Sequence, residues 1–211
     1  MRIGKAIGAL LALAGVNAAQ AHEIWIERDA AGPARIYLGE PESPLPEGGD
    51  PEFGKLKAPK LVAASTAAMA RKAGYLEVAV PPGDVRATDD TVFAPWGAEG
   101  KKESVVYYAR AGRGEAKAAM PLEIAPAAPN GDRFILSRDG KPVAGADIRV
   151  ITPDKWSKSF KTDAEGAVTV PLKEKGRYLL AASQKDEGSF DTPGGKVAVL
   201  HRTTTTTFVV D

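Results

Sequence analysis

Residues 133–152, with the sequence RFILSRDGKPVAGADIRVIT, contain two short predicted strands, 133–137 and 147–152, joined by a turn-rich connection. In the second strand, Ile148 and Val150 alternate with Asp147 and Arg149, the period of a β-strand with one buried face. Between them, Asp139-Gly140 is a turn pair, and residues 141–146 contain the proline and glycine expected of a crossing connection. The stretch therefore predicts two strands of an antiparallel sandwich.

More short strands are predicted toward the C-terminus, at residues 159–162, 167–170, 177–183 and 197–210, with a glycine-rich loop at 185–195. The threonine run at 203–207 is predicted to be an edge or last strand, because threonine favours strands. About seven short strands at this spacing are typical of an immunoglobulin-like sandwich. We therefore predict such a domain, of the transthyretin or carboxypeptidase-regulatory type, at residues 131–211.

The N-terminal half also alternates like a β protein, with predicted strands at residues 22–27, 34–38, 75–80, 85–88 and 104–111. In the first of these, Ile24 and Ile26 alternate with polar neighbours and Trp25, so one face is predicted to be buried. The proline-rich run beginning at Pro126 separates a β domain at 22–125 from the immunoglobulin-like domain. The predicted fold class is all-β.

Two segments of this half are less regular. Residues 60–73 are ambiguous, because their alanines favour helix whereas the lack of a 3.6-residue period allows strand, which we prefer. Residues 40–53 are predicted to form a long loop. Its carboxylates either approach a cation or keep the loop solvated, and the second interpretation is preferred. They belong to Glu40, Glu42, Glu47, Asp50 and Glu52.

Residues 1–21 are typical of a secretory signal peptide. Arg2 and Lys5 form a basic head, residues 6–16 an apolar run, and Ala19-Gln20-Ala21 the small-residue pattern that signal peptidase reads. The apolar run is too short to serve as a membrane anchor. We expect cleavage after Ala21, export to a bacterial periplasm, and no membrane insertion of the mature chain.

Composition excludes several partners and sites. The chain has 28 Lys+Arg and 27 Asp+Glu, and loss of Arg2 and Lys5 would bring the net side-chain charge to −1. A near-neutral chain without basic clusters gives no reason to expect nucleic acid or an anionic membrane as partner. The absence of cysteine excludes disulfides, thiolate metal sites and a catalytic thiol. No nucleophile elbow or phosphate-binding glycine loop is present, and no enzymatic activity is predicted.

The two histidines, His22 and His201, are both candidate metal ligands. After cleavage, His22 would carry a free α-amine, with a pKa of about 7.7–8.0, beside its imidazole Nδ1, so one residue could chelate a metal ion through two nitrogens. If the terminal strands meet, His201 adds a second imidazole, as in the histidine brace of copper proteins. Such nitrogen-rich sites suit Cu(II) or Ni(II). In the alternative interpretation, neither histidine binds metal and His201 is an exposed strand-end side chain.

A set of motifs occurs in order along the mature chain: HEIW at 22–25, PLEIAP at 121–126, GD at 131–132, DGKPVAGA at 139–146, TDAEG at 162–166, GRYLL at 176–180, and the closing threonine-rich strand with Phe208. Together they resemble the DUF4198 family, proteins also described as a nickel uptake transporter family or as periplasmic components of cobalt and nickel transport. The resemblance implies an exported two-part β protein associated with transition-metal uptake, with no established catalytic activity. Only the start motif, His22 and Trp25, is carried onto this chain.

Three functions compete at this point. The favoured one is a periplasmic accessory protein that captures Cu(II), Ni(II) or Co(II) or passes it to an inner- or outer-membrane transporter. The second is an immunoglobulin-like module that docks an envelope partner and binds no metal. The third, a copper-dependent oxidative enzyme, would need a flat aromatic substrate face, and the tryptophans at 25, 96 and 156 do not show one.

Overall fold

The computed structural model describes residues 22–62 and 67–211, and the strands in these ranges form three β-sheets. In these ranges the one helical turn is a 3₁₀ helix at Phe53–Lys55, and no helix is long and apolar enough to cross a membrane. The predicted signal peptide at 1–21 lies outside the described residues. The prediction of an all-β chain is confirmed. The strands are β1 Glu23–Arg28, β2 Ala34–Gly39, β3 Lys60–Leu61, β4 Ala70–Arg71, β5 Leu76–Val78, β6 Val85–Asp89, β7 Glu103–Ala111, β8 Leu122–Pro126, β9 Arg133–Arg138, β10 Lys141–Pro142, β11 Asp147–Ile151, β12 Ser157–Lys161, β13 Ala167–Thr169, β14 Gly176–Thr192 and β15 Gly195–Val210.

The largest sheet has seven strands in the order β12-β11-β14-β15-β7-β6-β3. All neighbours in it are antiparallel except β15 and β7, which run parallel from Val199 beside Glu103 to Thr207 beside Ala111. Strands from both sides of the proline-rich run at 126–129 therefore share this central sheet. Whether residues 22–125 and 131–211 fold as separate units stays a prediction, because strand pairing describes only the finished fold.

Two smaller sheets cover the two faces of the central sheet. One, the N-terminal sheet, has the order β1-β2-β5-β4, and the other, the β8–β13 sheet, is built from β8, β9, β10 and β13. Side chains of β7 alternate between them: Val105 and Tyr107 pack in the core below the N-terminal sheet, while Val106 and Tyr108 pack in the core with the β8–β13 sheet. The result is a three-layer β-sandwich whose middle layer has both faces buried.

The threonine run lies at the centre of this arrangement. The Thr205 hydroxyl donates to the carbonyl of Ile24 in β1 at 2.7 Å, and Thr207 donates to Ile26 in the same strand. On the opposite face, Thr206 donates to the carbonyl of Ile124 in β8, also at 2.7 Å. Since β1 and β8 each pair with one strand in the described chain, these hydroxyls satisfy carbonyls on their otherwise free edges.

The run at 203–207 was predicted to lie in an edge or last strand; it lies in the last described strand, β15, and the edge alternative is wrong. Three strands flank β15 on each side of the central sheet. A polar run can occupy this central position because each paired hydroxyl is buried against a backbone carbonyl.

Two other predictions need correction, and a third, the strand preferred for residues 60–73, is confirmed at the two ends of its stretch. The predicted loop at 185–195 is a continuation of β14, which runs to Thr192 through an irregular register between Glu187 and Phe190. In β1 both faces are buried, because Trp25 packs with Ile151 and Leu179 on the side expected to be exposed. In the ambiguous stretch at 60–73, short strands β3 and β4 occupy the two ends, and residues 63–66 lie outside the described ranges.

A buried charge cluster fastens β8 to the central sheet. Oε1 of Glu123 accepts from Nε of Arg86 and from Nη1 of Arg110, both at 2.7 Å, and its Oε2 accepts the backbone N–H groups of Ala119 and Met120. Glu123 and Arg110 are fully buried. Because both oxygens of the carboxylate are satisfied, the cluster fixes the position of β8 without leaving an unpaired charge in the core.

Replacing Thr206 with valine should lower the free energy of unfolding by about 1–3 kcal/mol, because the buried carbonyl of Ile124 loses its donor. Thr204→Val is the matched control. It lies on the same strand and face, and among the described residues its buried hydroxyl has no hydrogen-bond partner. Valine there should leave stability unchanged or raise it, as urea denaturation would measure. Equal losses in the two variants would contradict the role given to the hydroxyl bonds.

Candidate metal centre

His22 lies just before β1 and is held by a carboxylate from the loop that follows β2. Its Nε2 is 3.0 Å from Oδ1 of Asp50, and the two side chains are only 10% and 12% exposed. The edge of the Phe93 ring packs against the imidazole, with ring centroids 6.1 Å apart. An ionised carboxylate can only accept a hydrogen bond, so Nε2 carries the proton. In the neutral imidazole, Nδ1 is then the nitrogen with the lone pair.

The loop at 40–53 is shaped to present Asp50. Oδ1 of Asp50 also accepts the backbone N–H of Glu52 at 2.7 Å, and the Asp50 carbonyl accepts the N–H of Phe53, where the 3₁₀ helix begins. A Cβ at Gly39 would lie 3.2 Å from Oδ2 of Asp50, so glycine leaves room for this carboxylate. The loop is confirmed, and Asp50 is the member of its five carboxylates that meets a histidine.

His201 lies within β15 and has a different carboxylate partner. Its Nε2 is 2.5 Å from Oε2 of Glu103, and the Trp96 ring stacks on the imidazole with centroids 5.7 Å apart and an interplanar angle of 22°. Trp96 is positioned by two backbone hydrogen bonds with Glu103. The imidazole is therefore a packed, partly buried group, and not the exposed strand-end side chain of the alternative interpretation.

The two histidines lie on the same face of the central sheet. The side chains of Thr205 and Thr207 face β1. Residues two apart in a strand share a face, so Thr203 and His201 lie on that face too. The hydroxyl bonds pair residue 205 with 24 and 207 with 26, so the same offset places His22 near Thr203. His201 is two positions before Thr203 in β15, about 7 Å along the strand.

The structure nevertheless gives the two imidazoles separate carboxylates, Asp50 and Glu103. Within residues 22–62 and 67–211, no group of three or more histidine, aspartate or glutamate side chains is close enough to hold a metal ion. A metal site shared by His22 and His201 therefore stays a prediction.

Glu23, the neighbour of His22, points to the other side of β1. It is only 8% exposed, its Oε1 accepts from Nη2 of Arg149 at 2.6 Å, and its Oε2 has no hydrogen-bond partner in the described part of the chain. Burial raises the pKa of Glu23 to about 7, the Arg149 guanidinium opposes the rise, and the Glu42 carboxylate adds to it. Sequence reasoning missed this group, because alternation in a strand assigned its position to solvent.

One family model matches the chain over residues 19–186, and its description is a domain of unknown function, DUF4198. The chain belongs to the DUF4198 family. The match includes His22, Asp50 and Glu23 and ends before His201. No curated protein and no solved structure matches the chain. The family match confirms the resemblance that the sequence motifs indicated.

The raised pKa of Glu23 predicts a stability that depends on pH. The folded protein holds a proton between pH 4.5 and about 7 that the unfolded chain has released, so this contribution is fully present below 4.5 and is lost as pH rises through 7. Between pH 5 and 8 the loss should be about 2–3 kcal/mol. Urea denaturation at both pH values should show this loss of stability in the wild type and in the exposed control Glu99→Gln. The loss should vanish in Glu23→Gln. A loss that persists in Glu23→Gln would contradict its assignment to Glu23.

Proposed function

We propose that this DUF4198 protein is an exported periplasmic protein that binds a transition metal ion through His22 and takes part in its uptake or handling. The observation that carries the proposal is the hydrogen bond between Nε2 of His22 and Asp50. Metal-binding histidines commonly donate their second ring N–H to a carboxylate, which fixes the tautomer and makes the ligating nitrogen more basic. Asp50 would be this carboxylate, and Nδ1 of His22 would be the ligating nitrogen.

The chemistry of the proposed site follows from the mature N-terminus. Cleavage after Ala21 would expose the α-amine of His22 next to Nδ1, giving two nitrogen donors on one residue. Donors of this type favour Cu(II) or Ni(II), with Co(II) lower in the usual order of affinities. The packing of Phe93 against the ring restricts its rotation, so the imidazole has little side-chain entropy left to lose when it binds a metal ion. His201, held by Glu103, is the candidate second imidazole.

The bound metal ion would pass to, or come from, a metal transporter in the inner or outer membrane. The resemblance to proteins described as periplasmic components of cobalt and nickel transport supports this assignment, as does the predicted signal peptide. A chain without cysteine also suits an oxidising compartment, because no thiol is exposed to it. No catalytic role is proposed.

A second candidate is an envelope interaction module that binds no metal. One observation favours it: the Trp156 side chain, in the turn between β11 and β12, is 73% exposed. Exposed tryptophans are over-represented among the residues that dominate protein interfaces. The two candidates differ in a simple measurement, because only the first requires the mature protein to bind metal at its N-terminus.

The decisive prediction is that binding depends on the free amine of His22. Cleaved protein should bind Cu(II), and a form with one extra alanine before His22 should lose most of the affinity, because its amine has become an amide. His22→Ala in correctly cleaved protein should lose it as well. Affinity should fall as the pH drops, since protons compete with the metal ion for both nitrogens. Calorimetric titration of the cleaved and extended forms in one buffer measures this, and equal affinities would refute the proposal.

Two further variants test the groups around the chelate in the same titration. Asp50→Asn should weaken Cu(II) binding by about 10- to 100-fold, because the ring loses its anionic partner. Glu47→Gln, in an exposed part of the same loop, should bind like the wild type. His201→Ala should weaken binding at least tenfold, about 1.4 kcal/mol, if the two imidazoles share the metal. An unchanged affinity in His201→Ala would end the shared site and leave the His22 chelate standing.

A further inference from the structure

We infer that the groove between the end of β1 and the turn after β7 binds the carboxylate or phosphate group of a small ligand through Arg113 and Arg28. Three arginines of the described chain form no ion pair, and they are Arg28, Arg71 and Arg113. Two of these, Arg28 and Arg113, line a single groove of about 730 Å³. This volume lies in the range of small-molecule sites. Two cations that the protein does not neutralise are thus brought together on one concave surface.

Arg113 leaves free the edge of its guanidinium that suits an oxyanion. Its Nη1 donates to the carbonyls of Asn130 at 2.8 Å and Gly131 at 3.1 Å, and its guanidinium carbon lies 4.9 Å from the centre of the Phe208 ring. These contacts fix the plane of the group. Its Nε and Nη2 have no acceptor within the described residues, and neither is among their buried polar atoms that lack a partner, so solvent reaches both. The N–H groups of Nε and Nη2 form the fork that binds two oxygens of a carboxylate or phosphate.

Arg28 adds a second cation that is held separately. Its Nε donates to the carbonyl of Gly32 at 2.9 Å, its Nη1 to that of Gly83 at 2.7 Å, and its Nη2 to that of Val80 at 3.3 Å. A guanidinium has five N–H donors, so two remain for a ligand. The three carbonyls orient the group without supplying a formal negative charge. Arg28 is therefore preorganised to face an anion.

The carboxylates that also line the groove do not neutralise these two arginines. Asp29 and Asp84 are each bound by other arginines, which for Asp84 is the buried Arg110. The third carboxylate, that of Asp211, is exposed and forms no ion pair in residues 22–62 and 67–211. Two uncompensated cations thus outnumber one unpaired carboxylate, and the groove attracts anions.

The groove is distinct from the proposed metal site. Arg28 lies six residues after His22, about 20 Å along the line of β1. An anion held by Arg28 and Arg113 is therefore too far from the His22 imidazole to be a ligand of the same metal ion. The test accordingly uses mature His22→Ala protein, in which the proposed chelate is absent.

Calorimetric titration of this protein with inorganic phosphate, and separately with succinate, tests the groove. At least one of the two anions should bind with a Kd below about 1 mM. Arg113→Gln should weaken binding at least tenfold. Arg71→Gln is the matched control, because Arg71 also lacks an ion pair in the described chain but does not line the groove, and it should bind normally. Tighter binding of phosphate would assign a phosphorylated ligand, and tighter binding of succinate a carboxylate ligand.

A second pair of variants avoids the contacts that Arg113 makes with its own turn. Ala30→Glu adds a carboxylate to the groove from an exposed position and should weaken binding at least tenfold, whereas Ala164→Glu, at an exposed turn outside the groove, should bind normally. Arg113→Lys keeps the charge without the fork and should fall between the parent protein and Arg113→Gln. Failure of both anions to bind, or unchanged binding in Arg113→Gln or Ala30→Glu, would overturn the inference. None of these results depends on metal binding at His22.

Discussion

Hydrogen bonds from the hydroxyls of β15 to the backbones of two crossing strands are the constraint on which the other layers depend. Thr205 and Thr207 bind carbonyls of β1 on one face, and Thr206 binds a carbonyl of β8 on the other. A strand of larger apolar residues would bury more surface but could not satisfy those carbonyls. Threonine combines a β-branched side chain, which suits a strand, with a short donor that reaches a backbone lying across it. This is why a polar run can occupy the centre of the sandwich.

The position of β1 then decides where the chemically interesting groups lie. With its carbonyl edge fixed on β15, β1 sends successive side chains to opposite sides. His22 meets Asp50 and Phe93, whereas Glu23 meets Arg149. Two adjacent residues thus belong to two different environments, on opposite sides of a single strand.

Local sequence pattern predicted most of the strands and the all-β class, because alternation is a property of neighbouring residues. It could not predict that β7 and β15 would lie side by side, since Glu103 and Val199 are far apart in the chain and nothing local pairs them. The same limit applies to the histidines: their carboxylates, Asp50 and Glu103, are 28 and 98 residues away. Glu23 was assigned to solvent because the alternation rule treats a polar residue in a strand as exposed. Here the carboxylate is buried, and it accepts a hydrogen bond from Arg149.

The order of the strands also links the proposed site to folding. The central strand β15 follows all the other described strands in sequence, so the layers cannot close until residues 195–210 are in place, and its contact with β7 is a non-local parallel pairing of the kind that forms slowly. The carbonyls that position β1, and with it His22, are bound only when β15 is in place. A metal ion that binds the ordered His22 more tightly than the same residue in the unfolded chain would therefore stabilise the entire sandwich, by an amount set by the ratio of the two affinities. Metal binding at His22 and the stability of β15 would then be coupled, because Thr205 and Thr207 hold the strand that His22 precedes.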